Sequence, residues 1–569
     1  MATSQDGECI VDDICRSRCL DLNRFNQKFL ICVCFVFGLS LTTRHEIMAQ
    51  TTAPTSSKTT VGKPSSRGRV LKERQDLKKK KGSTKKSPSK VKSKAKRKNR
   101  STKSEPSLTL SQLRSSYERE LKRPELTSAK AGWIIRDLMS GEVVVEHNAN
   151  VLFHPASCTK IVTTVAAFRV FGSDMRFVTR FYLDEGRAAQ PPDLYWYASG
   201  DPKIVPETFT SIATELRTLL LKRKLPMEIG DLIIDDSLFT QQVLAPGYEQ
   251  KPEDDSAYRS PNGGVGFQFN RFSVTFKPSK KVGDPPAVSI NPPIDYFQVM
   301  NTAKTTSRGK ERLSLFARAN PESQTMSLEV KGQIPLRNRS VSVRRRIADP
   351  LRFSGESLLY FLQKNGIKSK GSVRRGKLKE GLEASITHRS PPMRDLIKDV
   401  NAYSNNFMAE QLLLAMGLKV RGFGGWVEGA LVVKSILDAE IGIKGYQYHN
   451  GSGLFGETSM SPHMITEVLI YAHKQSEGKF GDLLAEPGRP GTLKHRFKSL
   501  PRGALSAKTG TLDQVSTLCG YLTSRQGRRL VFCFMMNDYR VETSSIRSIQ
   551  DEMLRYAWLT ELPSEGVHK

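Results

Sequence analysis

The sequence predicts a mixed α/β protein in which a long, mostly β segment interrupts a core of helices and strands. Three observations carry this. A hairpin pattern, Ala131 to Asp137 and Glu142 to Glu146 about a turn at Met139-Ser140-Gly141, leads into an apolar helix. From about Met175 to Ala384 the chain changes to short β-type runs separated by Pro, Gly and Asp turns. Helical runs then return, and Leu505 to Leu512 and Val515 to Leu522 follow as strands.

With 569 residues the chain is long enough for two or three domains. A formal charge of +31 resembles that of a nucleic-acid binder until the charge is located. Between Lys58 and Lys103 stand 20 Lys/Arg and two acids, Glu73 and Asp76, so +18 belongs to one short arm. The remainder, 68 basic against 55 acidic residues, carries +13 and is only moderately basic.

Residues 1–49 read as a signal peptide or an N-terminal anchor. Phe29 to Leu41 is a 13-residue apolar run behind Arg24 and Lys28. That is short for a membrane span, which needs about 20 residues, and suits a signal-peptide core. Ile47-Met48-Ala49 before Gln50 offers a small-residue cleavage site, and either outcome takes the bulk of the chain out of the cytoplasm. Five of the eight cysteines (Cys9, Cys15, Cys19, Cys32, Cys34) fall in this segment. The exported part keeps Cys158, Cys519 and Cys533, too few for a disulfide framework. Cys519 and Cys533 flank a turn near Ser524-Arg525-Gln526-Gly527 and are expected as reduced, buried thiols, because directly opposed strand cysteines make strained bridges.

Residues 50–107 are rich in Lys, Ser, Thr and Pro, with almost no large apolar side chain, and cannot bury enough surface to order themselves. We read this basic linker as an electrostatic tether to an anionic wall polymer or membrane surface, with no nucleic acid as partner. The plainer alternative is a solvated spacer.

Folded sequence begins near Leu108, and Leu110 to Leu121 reads as an amphipathic helix. After the hairpin comes His154-Pro155-Ala156-Ser157-Cys158-Thr159-Lys160. Ile161, Val165 and Phe168 recur at i, i+4, i+7, Pro155 suits a first helical turn and Gly172 a stop. A helix starting there holds Ser157 and Lys160 on one face, within side-chain reach. A serine hydroxyl becomes a nucleophile when a base takes its proton. Lysine is such a base when burial, a helix N-terminus or a second cation depresses its pKa. Ser-x-x-Lys alone is weak, since Ser83/Lys86, Ser87/Lys90 and Ser93/Lys96 repeat it in the arm.

Residues 176–384 are expected as one or two inserted domains. Strands are expected at Val178 to Leu183, Leu194 to Ala198, Leu232 to Ile234, Phe272 to Phe276, Ala287 to Ile290, Met326 to Val330 and Val341 to Arg344. Short helices are expected near Glu207 to Leu221 and Gly355 to Asn365. This stretch contains no metal-ligand spacing and no glycine-rich phosphate loop.

Ser404 and Asn406 then precede a strongly helical run, where they serve either as caps or as chemistry. A hydroxyl beside the Ser157/Lys160 pair can relay a proton, and an amide can hold a peptide oxygen and orient the lysine. In Lys508-Thr509-Gly510-Thr511 a glycine inside a strand marks close approach of a ligand backbone. Lys508 offers a cation for a carboxylate, Thr509 and Thr511 offer hydroxyls, and an edge strand can receive an extended peptide. The backbone N–H groups of Ser157 and Thr511 are candidate oxyanion donors.

Ser-x-x-Lys, Ser-x-Asn and Lys-Thr-Gly in this order are the signature of penicillin-binding proteins and serine β-lactamases. Here 247 residues separate Ser157 from Ser404 (404 − 157) and 104 separate Ser404 from Lys508 (508 − 404). The first gap exceeds what a simple β-lactamase-type domain needs. The chain resembles the D-alanyl-D-alanine carboxypeptidase/endopeptidase family of low-molecular-mass, class C penicillin-binding proteins, which carry a large insertion at this place. The resemblance runs from about Ala131 to Asn537 and includes Gly200-Asp201-Pro202, Ile234-Asp235-Asp236-Ser237, Gly451-Ser452-Gly453-Leu454 and Gly491-Thr492-Leu493. Asn450 departs from the acid usual before Gly-Ser-Gly, the stretch after Leu454 is atypical, and Ala245 to Phe269 matches only loosely; these changes bear on side-chain preference in the substrate.

The resemblance implies a β-lactamase/transpeptidase-like catalytic domain, an antiparallel sheet flanked by helices, formed by residues 108–175 and 385–569. It implies a penicillin-sensitive serine D,D-peptidase of peptidoglycan stem peptides, a carboxypeptidase, an endopeptidase or both, with β-lactams as covalent inhibitors. Ser157 is then the nucleophile, Lys160 the base and Ser404 the proton relay. Asn406, Lys508, Thr509 and Thr511 bind substrate, and no metal or organic cofactor is needed. The alternatives are a β-lactamase or esterase of the same fold, or a catalytically inactive wall-binding protein.

Overall fold

The computed structural model describes residues 106–186 and 190–562. The segment read as signal or anchor, and nearly all of the basic linker, lie outside the described residues.

The predicted hairpin forms as β1 (Lys130–Asp137) and β2 (Val143–His147), closed at Gly141, whose φ of 75° favours glycine. Three strands from far along the chain join it: β3 (Leu505–Leu512), β4 (Val515–Thr523) and β5 (Arg529–Asn537). Their order is β3-β4-β5-β1-β2, antiparallel throughout, with Ile134 opposite Cys533 and Trp133 opposite Phe534. Successive strand side chains point to opposite faces, and here both faces are covered. Trp133, Ile135, Phe532 and Phe534 pack with Leu113, Tyr117 and Met553 on one side. Ile134, Val531, Cys533 and Met535 pack with Ile161, Ile465 and Leu469 on the other. That two-sided burial is why β5 reads Leu-Val-Phe-Cys-Phe-Met-Met without alternation.

The helices Leu110–Leu121 and Thr543–Leu559 cover the first face, tied where the Tyr117 hydroxyl donates to the Met553 carbonyl at 2.8 Å. Thr159–Phe171 and Pro462–Gln475 cover the second.

Between these parts a second five-stranded sheet runs in the order Val373–Arg375, Leu232–Asp235, Asp193–Tyr197, Val178–Asp184, Ala384–Arg389. The helices Pro206–Lys222 and Pro350–Lys364 accompany it; the second begins at Pro350 because Asp349 caps it, accepting from Arg352 N at 3.0 Å. Val341–Arg346, Arg271–Lys277 and Ala287–Asn291 form a three-stranded sheet. Arg312–Asn320 and Phe297–Asn301 flank Thr325–Pro335 in another. The sequence reading missed Arg312–Asn320, in which only Leu315 is fully buried, so its apolar alternation is weak.

Candidate active site

Ser157 lies in a short 3₁₀ turn, Ala156–Cys158, and the α-helix starts only at Thr159. The expectation that Pro155 opens the helix therefore misplaces its start. The cause is Ala156, whose φ of 46° is left-handed and breaks the helical path. The turn is held by Thr159 Oγ1 donating to the Ala156 carbonyl at 2.8 Å.

Lys160 Nζ stands 2.9 Å from Ser157 Oγ and 2.7 Å from the Ser452 carbonyl oxygen. Lys160 is fully buried. Burial holds its pKa well below the ordinary lysine value, and the charge on Lys508 pushes the same way while Glu410 opposes. A neutral Lys160 gives one N–H to the Ser452 carbonyl and turns its lone pair to the Ser157 hydroxyl, which is the geometry of a general base.

Sequence reasoning quoted Gly451-Ser452-Gly453 without giving it a task; the structure makes it the lysine's second partner. Gly453 has φ 66°, and a side chain there would collide with the Ala156 carbonyl and Thr159 Oγ1, so the loop closes directly on the nucleophile turn. Glu410 was missed. It is fully buried, and its two carboxylate oxygens accept from Gly451 N and Ser452 N, both at 2.8 Å. Burial raises its pKa above the ordinary carboxylate value, while these bonds and the charge on Lys160 favour the carboxylate. Asn450 completes the loop, accepting from Gly453 N at 2.8 Å and donating to the Pro246 carbonyl at 2.9 Å.

Glu410→Gln removes one of these acceptors and a negative charge near Lys160. Acylation should fall by about ten- to a hundredfold, the cost of one buried unpaired N–H. The acidic limb of its pH profile should move to lower pH, because Lys160 loses an anion that favours its charged form. Measuring acylation against pH checks both; an unchanged limb would show that Glu410 does not act on Lys160.

Ser404 is the C-cap of the helix Met393–Tyr403, in a left-handed conformation, and Asn405, not Ser404 or Asn406, caps the next helix, Asn406–Arg421. Ser404 is thus a cap, though of the preceding helix, and Asn406 is not one. Ser404 Oγ accepts from Lys508 Nζ at 2.8 Å. Lys508 Nζ also donates to the Thr509 carbonyl at 2.6 Å, and burial pushes its pKa down to about 8. The Asn406 amide donates to the Tyr258 carbonyl at 2.8 Å.

Gly510 earns its place by steric need. A side chain there would collide with Thr517 Oγ1 and stand 2.9 Å from Ser157 N, so only glycine lets β3 lie against the nucleophile turn. Ser157, Ser404, Thr509 and Thr511 line one cavity of about 270 Å³ with Thr492, Arg496 and Arg547. The two arginines are additions to the expected set. Arg547 donates to Thr511 Oγ1 at 2.8 Å, and Arg496 is paired with Asp551. Among the described residues, no carboxylate lines this cavity. A short run preceding Phe497 and a mid-helix position near the C-terminus carry no motif that would have flagged either arginine.

Cys158, Cys519 and Cys533 are all free and buried beneath this site. Cys519 lies opposite Cys533 with their sulfurs 2.7 Å apart in a thiol contact, and Cys158 accepts from Thr517 Oγ1 at 3.2 Å.

A family model described as "D-Ala-D-Ala carboxypeptidase 3 (S13) family" matches residues 113–560. The D-alanyl-D-alanine carboxypeptidase of Actinomadura sp. (strain R39) is 26% identical over 448 residues, which cover 76% of this chain and 82% of that protein. The penicillin-sensitive carboxypeptidase A of Dictyostelium discoideum is 22% identical over 430 residues, 71% of this chain and 81% of its own. Among solved structures, penicillin-binding protein 4 from Haemophilus influenzae superposes with a TM-score of 0.67 at 21% identity, covering 79% of this chain and 99% of that one. The transpeptidase-like fold is thereby shown.

Proposed function

Because the chain belongs to the D-Ala-D-Ala carboxypeptidase 3 (S13) family, it is a serine-type D-Ala-D-Ala carboxypeptidase, and we propose that Ser157 is its nucleophile. The observation that carries this is the 2.9 Å contact between Ser157 Oγ and a buried lysine amine, at the floor of a cavity lined by Ser404 and the Thr509–Thr511 strand.

In this reading the substrate is a peptidoglycan stem peptide laid along β3. Lys160 takes the Ser157 proton as Oγ attacks the penultimate D-Ala carbonyl. The Ser157 and Thr511 N–H groups hold the oxyanion. Ser404, bonded to Lys508, relays that proton from Lys160 to the leaving amine, so both side chains regain their starting protonation, and water then hydrolyses the acyl-enzyme. Thr509, Thr511 and Lys508 bind the terminal carboxylate, Arg547 supports Thr511, and Asn406 holds the substrate's peptide oxygen. β-Lactams acylate the same serine; a β-lactam complex is known for the H. influenzae protein.

Two assays with purified protein test this: release of D-Ala from a soluble D-Ala-D-Ala pentapeptide, and cleavage of a cross-linked stem-peptide dimer. Release from the first establishes the carboxypeptidase, and cleavage of the second adds the endopeptidase. Rapid turnover of penicillin with neither would favour a β-lactamase.

We also propose that residues 108–175 and 385–569 act as the catalytic domain, with 176–384 inserted in it, and that the enzyme is exported to the cell envelope. Residues 50–107 would hold it there electrostatically. The arm carries +18 of the +31 charge. Deleting Thr51 to Ser104 should leave turnover of a soluble D-Ala-D-Ala peptide unchanged and weaken retention on anionic wall material or vesicles. Wild-type retention should decline steeply with salt, since exposed charges are screened over about 8–10 Å at physiological ionic strength. Equal retention with and without the arm, or indifference to salt, would make the arm a spacer.

A further inference from the structure

We propose that Arg547 makes the enzyme require a carboxylate on the departing amino acid, by receiving that carboxylate directly beside Thr511; the inference rests on the peptidase reading above. Thr509 and Thr511 stand two residues apart on β3 and share one face of it. Their hydroxyls offer a carboxylate hydrogen bonds but no charge. Lys508 has the charge, yet it is fully buried, and its ammonium already donates to Ser404 Oγ and the Thr509 carbonyl. Among the described residues, the cations that line the Ser157 cavity are Arg496 and Arg547, and Lys508 is not one of them.

Their partners set the two arginines apart. Arg496 holds structure together: its guanidinium pairs with Asp551, and Nη2 also donates to the Arg547 carbonyl and to Gln550 Oε1, each at 3.3 Å. Arg547 is half-buried, and among the described residues its guanidinium bonds Thr511 Oγ1 alone, at 2.8 Å. A guanidinium has five N–H donors, so most of them remain for a ligand. The ionisable groups that face Arg547 are Arg496, Asp551 and Tyr539. Asp551 is matched by Arg496, and burial raises the pKa of Tyr539, which keeps the phenol neutral. One positive charge is left facing the cavity.

The placement of Arg547 is fixed from two sides. It lies in the early part of the helix Thr543–Leu559, where Arg496 holds its backbone. Three residues on, Gln550 Nε2 donates to the Ser516 carbonyl at 3.1 Å. Ser516 is the β4 residue directly opposite Thr511. The helix is therefore tied to the same end of β3 that carries Thr511.

The bond to Thr511 also sets a direction. Oγ1 accepts from Arg547, which leaves the Thr511 hydroxyl hydrogen to donate to a ligand. A carboxylate can take one bond from Thr511 and a second, charge-assisted one from Arg547. A terminal carboxamide keeps a single acceptor oxygen and turns an NH₂ group toward donors, so it loses both the charge and an acceptor.

The test compares kcat/KM for a D-Ala-D-Ala peptide with that for its C-terminal amide. Wild-type enzyme should favour the acid strongly. In Arg547→Gln the acid should lose about ten- to a hundredfold, chiefly in KM, the range for one hydrogen bond to a charged group. The amide should lose far less, so the acid-to-amide ratio should shrink by about tenfold or more. Arg547→Lys, which keeps the charge without the fork, should retain part of the ratio. The extent of Ser157 labelling at saturating penicillin reports folding, and Arg547→Lys serves if the glutamine variant fails to label. Acylation by a penicillin and by its methyl ester gives a second acid-to-neutral ratio that needs no peptide turnover. If Arg547 only braces Thr511, acid and neutral substrates fall together; labelled variants with unchanged ratios would overturn the proposal. A wild-type Ser157 that takes no label would instead overturn the peptidase reading, and this inference with it.

Discussion

Replacing Lys160 with arginine should lower acylation by about 10³-fold or more, within the range that a positioned general base contributes. Charge and length are nearly kept, but arginine does not deprotonate in proteins, so no neutral amine can take the Ser157 proton. The burial that depresses Lys160 does not rescue arginine. Substrate binding should change far less, because Lys508, Thr509 and Thr511, the proposed carboxylate partners, lie on another element, the strand β3. Stopped-flow acylation with a chromogenic β-lactam separates the two effects. A variant that acylates at the wild-type rate would show that another group activates the serine.

The same assignment fixes the shape of the pH profile. Lys160 works as a base only without its proton, so acylation should rise with pH through its depressed pKa. Lys508 works as a cation, and its pKa of about 8 places the fall on the alkaline side. The result is a bell whose alkaline limb should vanish in a variant lacking the Lys508 ammonium.

How the sequence announced this site depends on which residues carry periodic or motif signals. The Ser157 turn, the Ser404 junction and the Lys508 strand each hold a short pattern with a chemical reason. The hairpin and the helix Leu110–Leu121 were visible because one face alternates with another. The pairing of β1 with β5 was not, since these strands stand far apart in the chain and only tertiary structure joins them. Glu410 illustrates the same gap. On its helix it reads, with Gln411, as a polar pair in an apolar run, and its meaning comes from two N–H groups of a loop about 40 residues later. Arg547 likewise looks like an ordinary exposed position until the helix packs beside Thr511. The start of the Ser157 helix was misjudged because Ala156 adopts a left-handed backbone that no residue preference predicts. Helix Thr159–Phe171 also exceeds its predicted stripe: Lys160, Thr163 and Thr164 are as buried as Ile161, since neighbouring elements cover every side of it from Thr159 to Ala167.

The most direct test is incubation with a fluorescent penicillin, followed by proteolysis and mapping of the labelled peptide. The account predicts one label, on the peptide carrying Ser157, and none in folded Ser157→Ala. Label on Ser404, or label that persists in Ser157→Ala, would contradict it.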